Sequence, residues 1–302
     1  MHVWARTLTA AGIHDPILRA DYTKQRKLVS GYRRHAYVAV RLLLPPALVP
    51  HVIAATAFMH HTDTLADRSS AGTRNNDRFL DWEKESRDGL ISGRSNHPLL
   101  RPLLHTVSVH PGLREHVESF LAGAPLDRDF SGFADEAAYQ QYVDAYSLPA
   151  FMLVTSPILV PDADREKSRA LCRSYIDGSQ RLDFVNDLAE DLGDGRLTIP
   201  TETLAEYNVS RSDLEQGRET TGTRALLRAL LSHSRRDLLA SRALSDLAPP
   251  AHRAFVRAFL ALEVLTNDAA LAKGSAVLHG SAQPSVRAAL SVLVSEYRRR
   301  GW

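Results

Sequence analysis

The chain has 302 residues, 44% hydrophobic and 24% charged, with 37 Lys plus Arg against 35 Asp plus Glu and a net charge of +2. That is long enough to bury a core, too apolar for a disordered chain, and too balanced for the basic field that nucleic acid requires. Cys172 is the one cysteine, which excludes an intrachain disulfide framework and a cysteine-based zinc site and predicts a reducing, cytoplasmic setting.

Met1 to Asp15 has no apolar run long enough for a signal peptide. The periodicity that follows is helical. Ala47 to Ala66 and Arg165 to Leu192 run long with little interruption. Asp67 to Asp81, rich in Ser, Arg, Asn and Asp, reads as a mobile loop between helices. Phe151 to Val160 is the most apolar stretch, but Ser156 and Pro157 break it and it is too short to span a bilayer. This excludes a transmembrane segment and leaves peripheral membrane contact open. Leu226, Leu227, Leu230 and Leu231, then Leu238 and Leu239, mark another helix; Phe255, Phe259, Leu262 and Ala269 form a stripe between Pro250 and Lys273. Prolines at 45–46, 98, 111, 125, 157, 200, 249–250 and 284 separate the segments. No alternating run bounded by turn pairs is present, so strands are not expected. The pattern predicts an all-α chain, residues 1–302 forming one domain of about ten or more helices around a cavity.

Two acidic segments carry chemistry. Asp63 and Asp67 stand at i and i+4, one above the other on a helix face and about 6 Å apart. Asp183, Asp187 and Asp191 extend the same spacing over three rungs, with Asp194 just beyond. Like charges so placed destabilise a helix unless something neutralises them, and a divalent cation would. A single Asp-x-x-x-Asp is usually a solvated face; two such segments in one helical chain are not so easily dismissed. Mg²⁺ takes hard oxygen ligands and binds through one or two carboxylates plus substrate phosphates. Two acidic helices facing each other would therefore suit a bound diphosphate.

Five stretches, taken in order, resemble the squalene/phytoene synthase family. They are Tyr37 to Pro46 with its Arg-Leu-Leu-Leu-Pro run; Ala57-Phe58 followed by Asp63-Thr64-Leu65-Ala66-Asp67; Gly123 with Asp127; Gln180 followed by Asp187-Leu188-Ala189-Glu190-Asp191; and Gly195-Arg196-Leu197-Thr198-Ile199-Pro200 with Leu204 and Val209-Ser210. The resemblance implies the all-α isoprenoid synthase fold, with Mg²⁺ and prenyl diphosphate held between two Asp-rich helices at the mouth of a central cavity. Usual members join two prenyl diphosphates head to head. On this resemblance Asp63, Asp67, Asp187 and Asp191 are assigned as Mg²⁺ ligands, with Asp183 a further ligand or an acceptor behind them. Arg41, Arg33 and Arg34 are assigned to the diphosphate, the last two more weakly. Arg196 is divided between the diphosphate and its own turn. His60 is a donor to diphosphate or a base toward the acceptor. Tyr142, Gln180, Asn186 and Phe184 complete the expected substrate site. Of the aromatics near these motifs (Tyr37, Phe58, Tyr142, Tyr146, Phe151 and Phe184), one or two are expected to line the cavity, the rest to be core.

The chain also departs from the family. His35-Ala36 replaces a Ser-Phe pair, His60 stands where the family has Arg, Asp183 replaces an Asn and Asn186 an Arg. Tyr146-Ser147-Leu148-Pro149-Ala150-Phe151 replaces an Ala-Gly-x-Val-Gly stretch, and Pro149 predicts a kink in that helix. Two positive charges are lost and one negative charge is gained. The site thus loses capacity for two diphosphates and gains capacity for metal. This predicts one prenyl diphosphate donor and a non-phosphorylated, aromatic or quinone-like acceptor in secondary metabolism. The alternative is head-to-head condensation to a squalene- or phytoene-like product.

Overall fold

Helix follows helix, as the periodicity predicts. The computed structural model describes residues 3–32, 34–69, 73–160 and 165–300, with side chains at all of these except 32, 35, 67–69 and 73–76. The helices are α1 (Val3–Ala10), α2 (Pro16–Tyr32), α3 (Arg34–Leu43), α4 (Val49–Ser69), α5 (Thr73–Ser92), α6 (Leu100–Val109), α7 (Leu113–Arg128), α8 (Glu136–Tyr142), α9 (Leu148–Thr155), α10 (Arg165–Asn186), α11 (Leu188–Gly193), α12 (Thr201–Glu206), α13 (Arg211–Glu215), α14 (Thr221–Ala240), α15 (Pro250–Lys273) and α16 (Val286–Arg299). A π-helical turn, Val143–Ser147, joins α8 to α9. No strand occurs among the described residues, so the chain is all-α.

Local chemistry sets the helix ends. α15 starts with Pro250 in its first turn and stops at Gly274, whose φ of 59° suits glycine. Asp135 caps α8 by accepting from the Ala138 N–H at 2.8 Å. α4 is apolar on nearly all sides through its first half, Val49 to Phe58, which is buried among its neighbours. Val52, Ile53 and Ala54 join the core that also holds Trp4, Tyr175, Leu231 and Leu293. Ala55 and Phe58 join a second core with Phe79, Trp82, Phe120 and Tyr142. The Trp82 indole donates to Thr62 Oγ1 at 2.9 Å, which fixes the rotation of α4. α10, α14 and α15 are stitched through buried polar groups: Ser234 donates to the Gly178 carbonyl at 2.6 Å and accepts from Asn267 at 2.8 Å.

Several expectations need correction. Most of Asp67 to Asp81 is helix, because α4 continues through Ser69 and α5 begins at Thr73. Its polar composition reads as loop, yet α5 buries Phe79 and Trp82. Pro125 lies inside α7 near its end instead of separating segments. The long segment ending at Leu192 is interrupted at Asp187, between α10 and α11. The distortion expected at Pro149 falls just before it, as the π-helical turn.

That turn packs closely on α7. A Cβ at Gly123 would collide with the Ala145 carbonyl. Pro149, four residues on, has no N–H to offer that carbonyl. The glycine of the Gly123…Asp127 motif is therefore what lets α7 approach the turn carrying Tyr146.

Candidate active site

A cavity of about 400 Å³ lies between α3, α4, the π-helical turn with α9, α10 and α15, a size typical of small-molecule sites. On α4 its lining runs from Val52 to Asp63, and on α10 from Tyr175 to Phe184. At 1.5 Å per residue these spans are about 16 Å and about 14 Å. The cavity is thus a slot, apolar toward one end and acidic toward the other. Phe151 stacks on Tyr175 with ring centroids 4.7 Å apart, and Phe259 lies 5.1 Å from Tyr175. Glu263 lines the same wall one turn beyond Phe259.

At the acidic end the contacts are specific. Tyr146 donates to Asp63 Oδ1 at 2.6 Å. Tyr142 donates to Asp127 Oδ1 at 2.8 Å, and Arg196 donates to the same oxygen at 3.0 Å. The Arg196 guanidinium also lies 4.8 Å over the Phe130 ring. Ser147 donates to Gln180 Oε1 at 2.9 Å. Burial, with the carboxylates of Asp63 and Asp127 close by, holds the Tyr142 and Tyr146 hydroxyls well above the usual phenol range. Both therefore act as neutral donors.

The second acidic segment is bent. Asp187 is exposed at the break between helices, while Asp191 is half-buried. Burial, with Asp187 and Glu190 repelling, pushes the Asp191 carboxyl up to about 6, although Arg196 and a hydrogen bond from Thr198 oppose the shift. Among the described residues no three acidic, histidine or cysteine side chains converge into a ready-made metal cage.

The structure brings Asp63, Asp183, Tyr142, Gln180, Phe184 and Arg196 to one cavity. Five of the six aromatics singled out line it, against one or two expected; Phe58 is core. Asp187 and Asp191 flank the cavity without lining it, and His60 is half-buried on α4 outside the lining. Three assigned residues are turned elsewhere. Arg41 donates to Thr7 Oγ1 at 3.2 Å and lies 5.4 Å over the Trp4 ring, because α1 covers that face of α3. Arg34 is exposed and does not line the cavity. Asn186 is buried and satisfied by the backbone of Ala282, donating at 3.2 Å and accepting at 2.6 Å. Arg33 and the side chain of Asp67 lie outside the described residues. The sequence assigns no role to Ser147 or Glu263; it marks Tyr146 only as one of six aromatics near the motifs and Asp127 only as the acid four residues past the motif glycine.

The profile described as squalene/phytoene synthase matches residues 29–290. The bifunctional protein CrtB/UppS of Streptomyces coelicolor is 25% identical over 75% of this chain and 40% of its own length. Phytoene synthase of Arthrospira platensis is 24% identical over 73% of this chain and 74% of its own length. Two solved structures share the fold. Squalene synthase HpnC from Alicyclobacillus acidocaldarius has a TM-score of 0.76 at 21% identity, covering 90% of this chain and 99% of that one. A dehydrosqualene synthase in complex with ligand has a TM-score of 0.81 at 17% identity, covering 93% and 97%.

Proposed function

The chain belongs to the squalene/phytoene synthase family, whose members are prenyltransferases, and on that premise we propose that it ionises one allylic prenyl diphosphate and joins it to a non-phosphorylated, aromatic or quinone-like acceptor with Mg²⁺ as cofactor. The charge of the cavity carries this reading. Among the described lining residues the carboxylates are Asp63, Asp127, Asp183 and Glu263, and the one cationic side chain is Arg196. Arg196 already serves Asp127, and Arg41 faces α1. Such a lining favours one metal-bound diphosphate over two.

The donor set fits Mg²⁺. Asp63 on α4 and Asp183 on α10 supply hard oxygens to one cavity without forming a closed cage, the arrangement of an ion that shares its ligands with substrate phosphates and water. Asp67, Asp187 and Asp191 complete the proposed set. When bound, the metal supplies the positive charge that takes up the leaving diphosphate as the allylic C–O bond breaks. Tyr146 holds Asp63 oriented. The slot past Ile53 and Phe151 receives the prenyl tail and excludes water. The rings of Tyr142, Tyr146 and Phe184, which line the acidic end with Asp63 and Asp183, stand beside the departing diphosphate and offer cation–π stabilisation to the allylic cation. Glu263 stands on the same wall as a carboxylate able to accept the ring proton that an aromatic acceptor loses.

Head-to-head condensation is the second reading, favoured by the names of the relatives, which are phytoene synthases. Diphosphate release with Mg²⁺ and dimethylallyl, geranyl, farnesyl or geranylgeranyl diphosphate separates the two. Release only after an aromatic acceptor is added, with an adduct heavier by one prenyl unit, supports the proposal. Release from one prenyl diphosphate alone, giving a dimeric hydrocarbon or a cyclopropyl diphosphate, supports the second reading.

A further inference from the structure

The last helix presents an apolar face to solvent. On α16, Val286, Leu290, Val294 and Tyr297 are 71%, 54%, 46% and 44% exposed. At helical spacing they fall within an arc of about 80°, and the helix turns inward along one edge of that arc, where Leu293 and Glu296 are buried. Leu42, at the end of the neighbouring α3, is a further exposed apolar residue, and its carbonyl accepts from Arg300 at 2.5 Å. A stripe of this kind on a surface helix marks contact with something apolar.

The charges around the stripe say what. Arg287 and Arg298 are exposed and border the apolar arc. The Arg300 guanidinium lies 3.5 Å over the Tyr297 ring at its end. The single carboxylate of α16, Glu296, is 7% exposed and is held by Arg257 at 2.6 Å and Arg299 at 3.3 Å. The exposed face of α16 is therefore apolar and basic, with no exposed acid. An apolar stripe edged by arginines, on a helix too short to span, is the pattern of a helix lying in a membrane interface. Among the described residues no helix is long and apolar enough to cross a membrane.

We propose that α16, with Leu42, docks the enzyme onto an anionic lipid surface. The apolar stripe enters the headgroup boundary, and Arg287, Arg298 and Arg300 meet lipid phosphates. The placement has a use. α16 packs on α3 and α15, and α3 carries Ala36, Tyr37 and Val40 on the cavity wall. One helix thus separates the docked face from the slot, so hydrophobic molecules dissolved in the bilayer are held close to the site.

Co-sedimentation with phosphatidylcholine vesicles, with and without phosphatidylglycerol, tests this. The full chain is expected to partition onto the phosphatidylglycerol vesicles and to be released by salt. Leu290→Glu with Val294→Glu is expected to lower partitioning about tenfold or more with an unchanged circular dichroism spectrum. Arg287→Ser with Arg298→Ser is expected to abolish the preference for phosphatidylglycerol while keeping the fold. Wild-type protein that ignores both vesicle types overturns the proposal. So does sedimentation equilibrium showing a dimer that the Leu290→Glu, Val294→Glu variant dissociates, since a second copy then covers the face.

Discussion

Tyr146 and Asp63 meet across 83 residues of chain, and their bond separates a positioning role from simple burial. Tyr146→Phe keeps the ring and removes the donor. A partner that orients a metal-ligating carboxylate typically matters about 10- to 100-fold. Tyr146→Phe is therefore expected to lower diphosphate release by that factor and to raise the Mg²⁺ concentration needed, with unfolding in urea little changed. Unchanged Mg²⁺ dependence would show that Asp63 needs no such partner. Asn186 is expected to behave in the opposite way. Asn186→Ala leaves the Ala282 N–H and carbonyl without their side-chain partner, at a cost of about 1–3 kcal/mol in stability. The per-molecule activity of the folded fraction should survive, measured by unfolding alongside turnover. Acid spacing made Asp63 and Asp183 legible in the sequence. The bonds of Tyr146 and Asn186 were not, because tertiary docking decides which way a side chain at a given register is used. Arg41 shows this most plainly, since α1 claims it.

At the scale of elements, the approach of α7 to the π-helical turn depends on the absence of a side chain at Gly123. Gly123→Ala is expected to cost about 1–3 kcal/mol by overpacking, read from urea unfolding, with a loss of activity because the turn carries Tyr146. The tie between α8 and α10 depends on Arg181, which is 4% exposed. It contacts Glu136 at 2.6 Å and Asp177 at 3.2 Å and lies 4.4 Å over the Tyr139 ring. Removing it leaves Asp177 with Arg173 at 3.2 Å and Tyr139 at 2.9 Å, and Glu136 with Gln140 at 2.7 Å and partial access to water, so Arg181→Ala is expected to cost about 1–3 kcal/mol; an unchanged urea midpoint would show that these remaining partners suffice. The helices with a clean apolar stripe, such as α15, could be read directly from period and proline. The polar start of α5 could not, because its buried aromatics, Phe79 and Trp82, come only after the polar run Thr73 to Arg78. Nor could the break at Asp187, since Asp183, Asp187 and Asp191 keep helical spacing through it.

For the molecule as a whole, histidines away from the cavity set the response to acid. His51 is 2% exposed and packs against His105 and His110 with centroids 5.6 and 4.9 Å away. Burial, then the neighbouring His110 and His105, hold its pKa down at about 3. His105 and His110 are also lowered, chiefly by burial. In the unfolded chain these groups titrate near pH 6.5. As pH falls below that value the unfolded state takes up protons that the folded state refuses. Stability is therefore present above about pH 6.5 and falls by up to about 1.4 kcal/mol per pH unit for each such group. Melting temperature is expected to drop between pH 7 and pH 5, and less steeply in His51→Gln. The proposed single-donor reaction rests on charge: the slot is lined by Asp63, Asp127, Asp183 and Glu263, and its one described cationic side chain, Arg196, is engaged by Asp127. Native mass spectrometry with Mg²⁺ and an unreactive thiolodiphosphate analogue of each prenyl donor counts the bound molecules directly. One analogue per chain at saturation is the predicted result, and two per chain would contradict it.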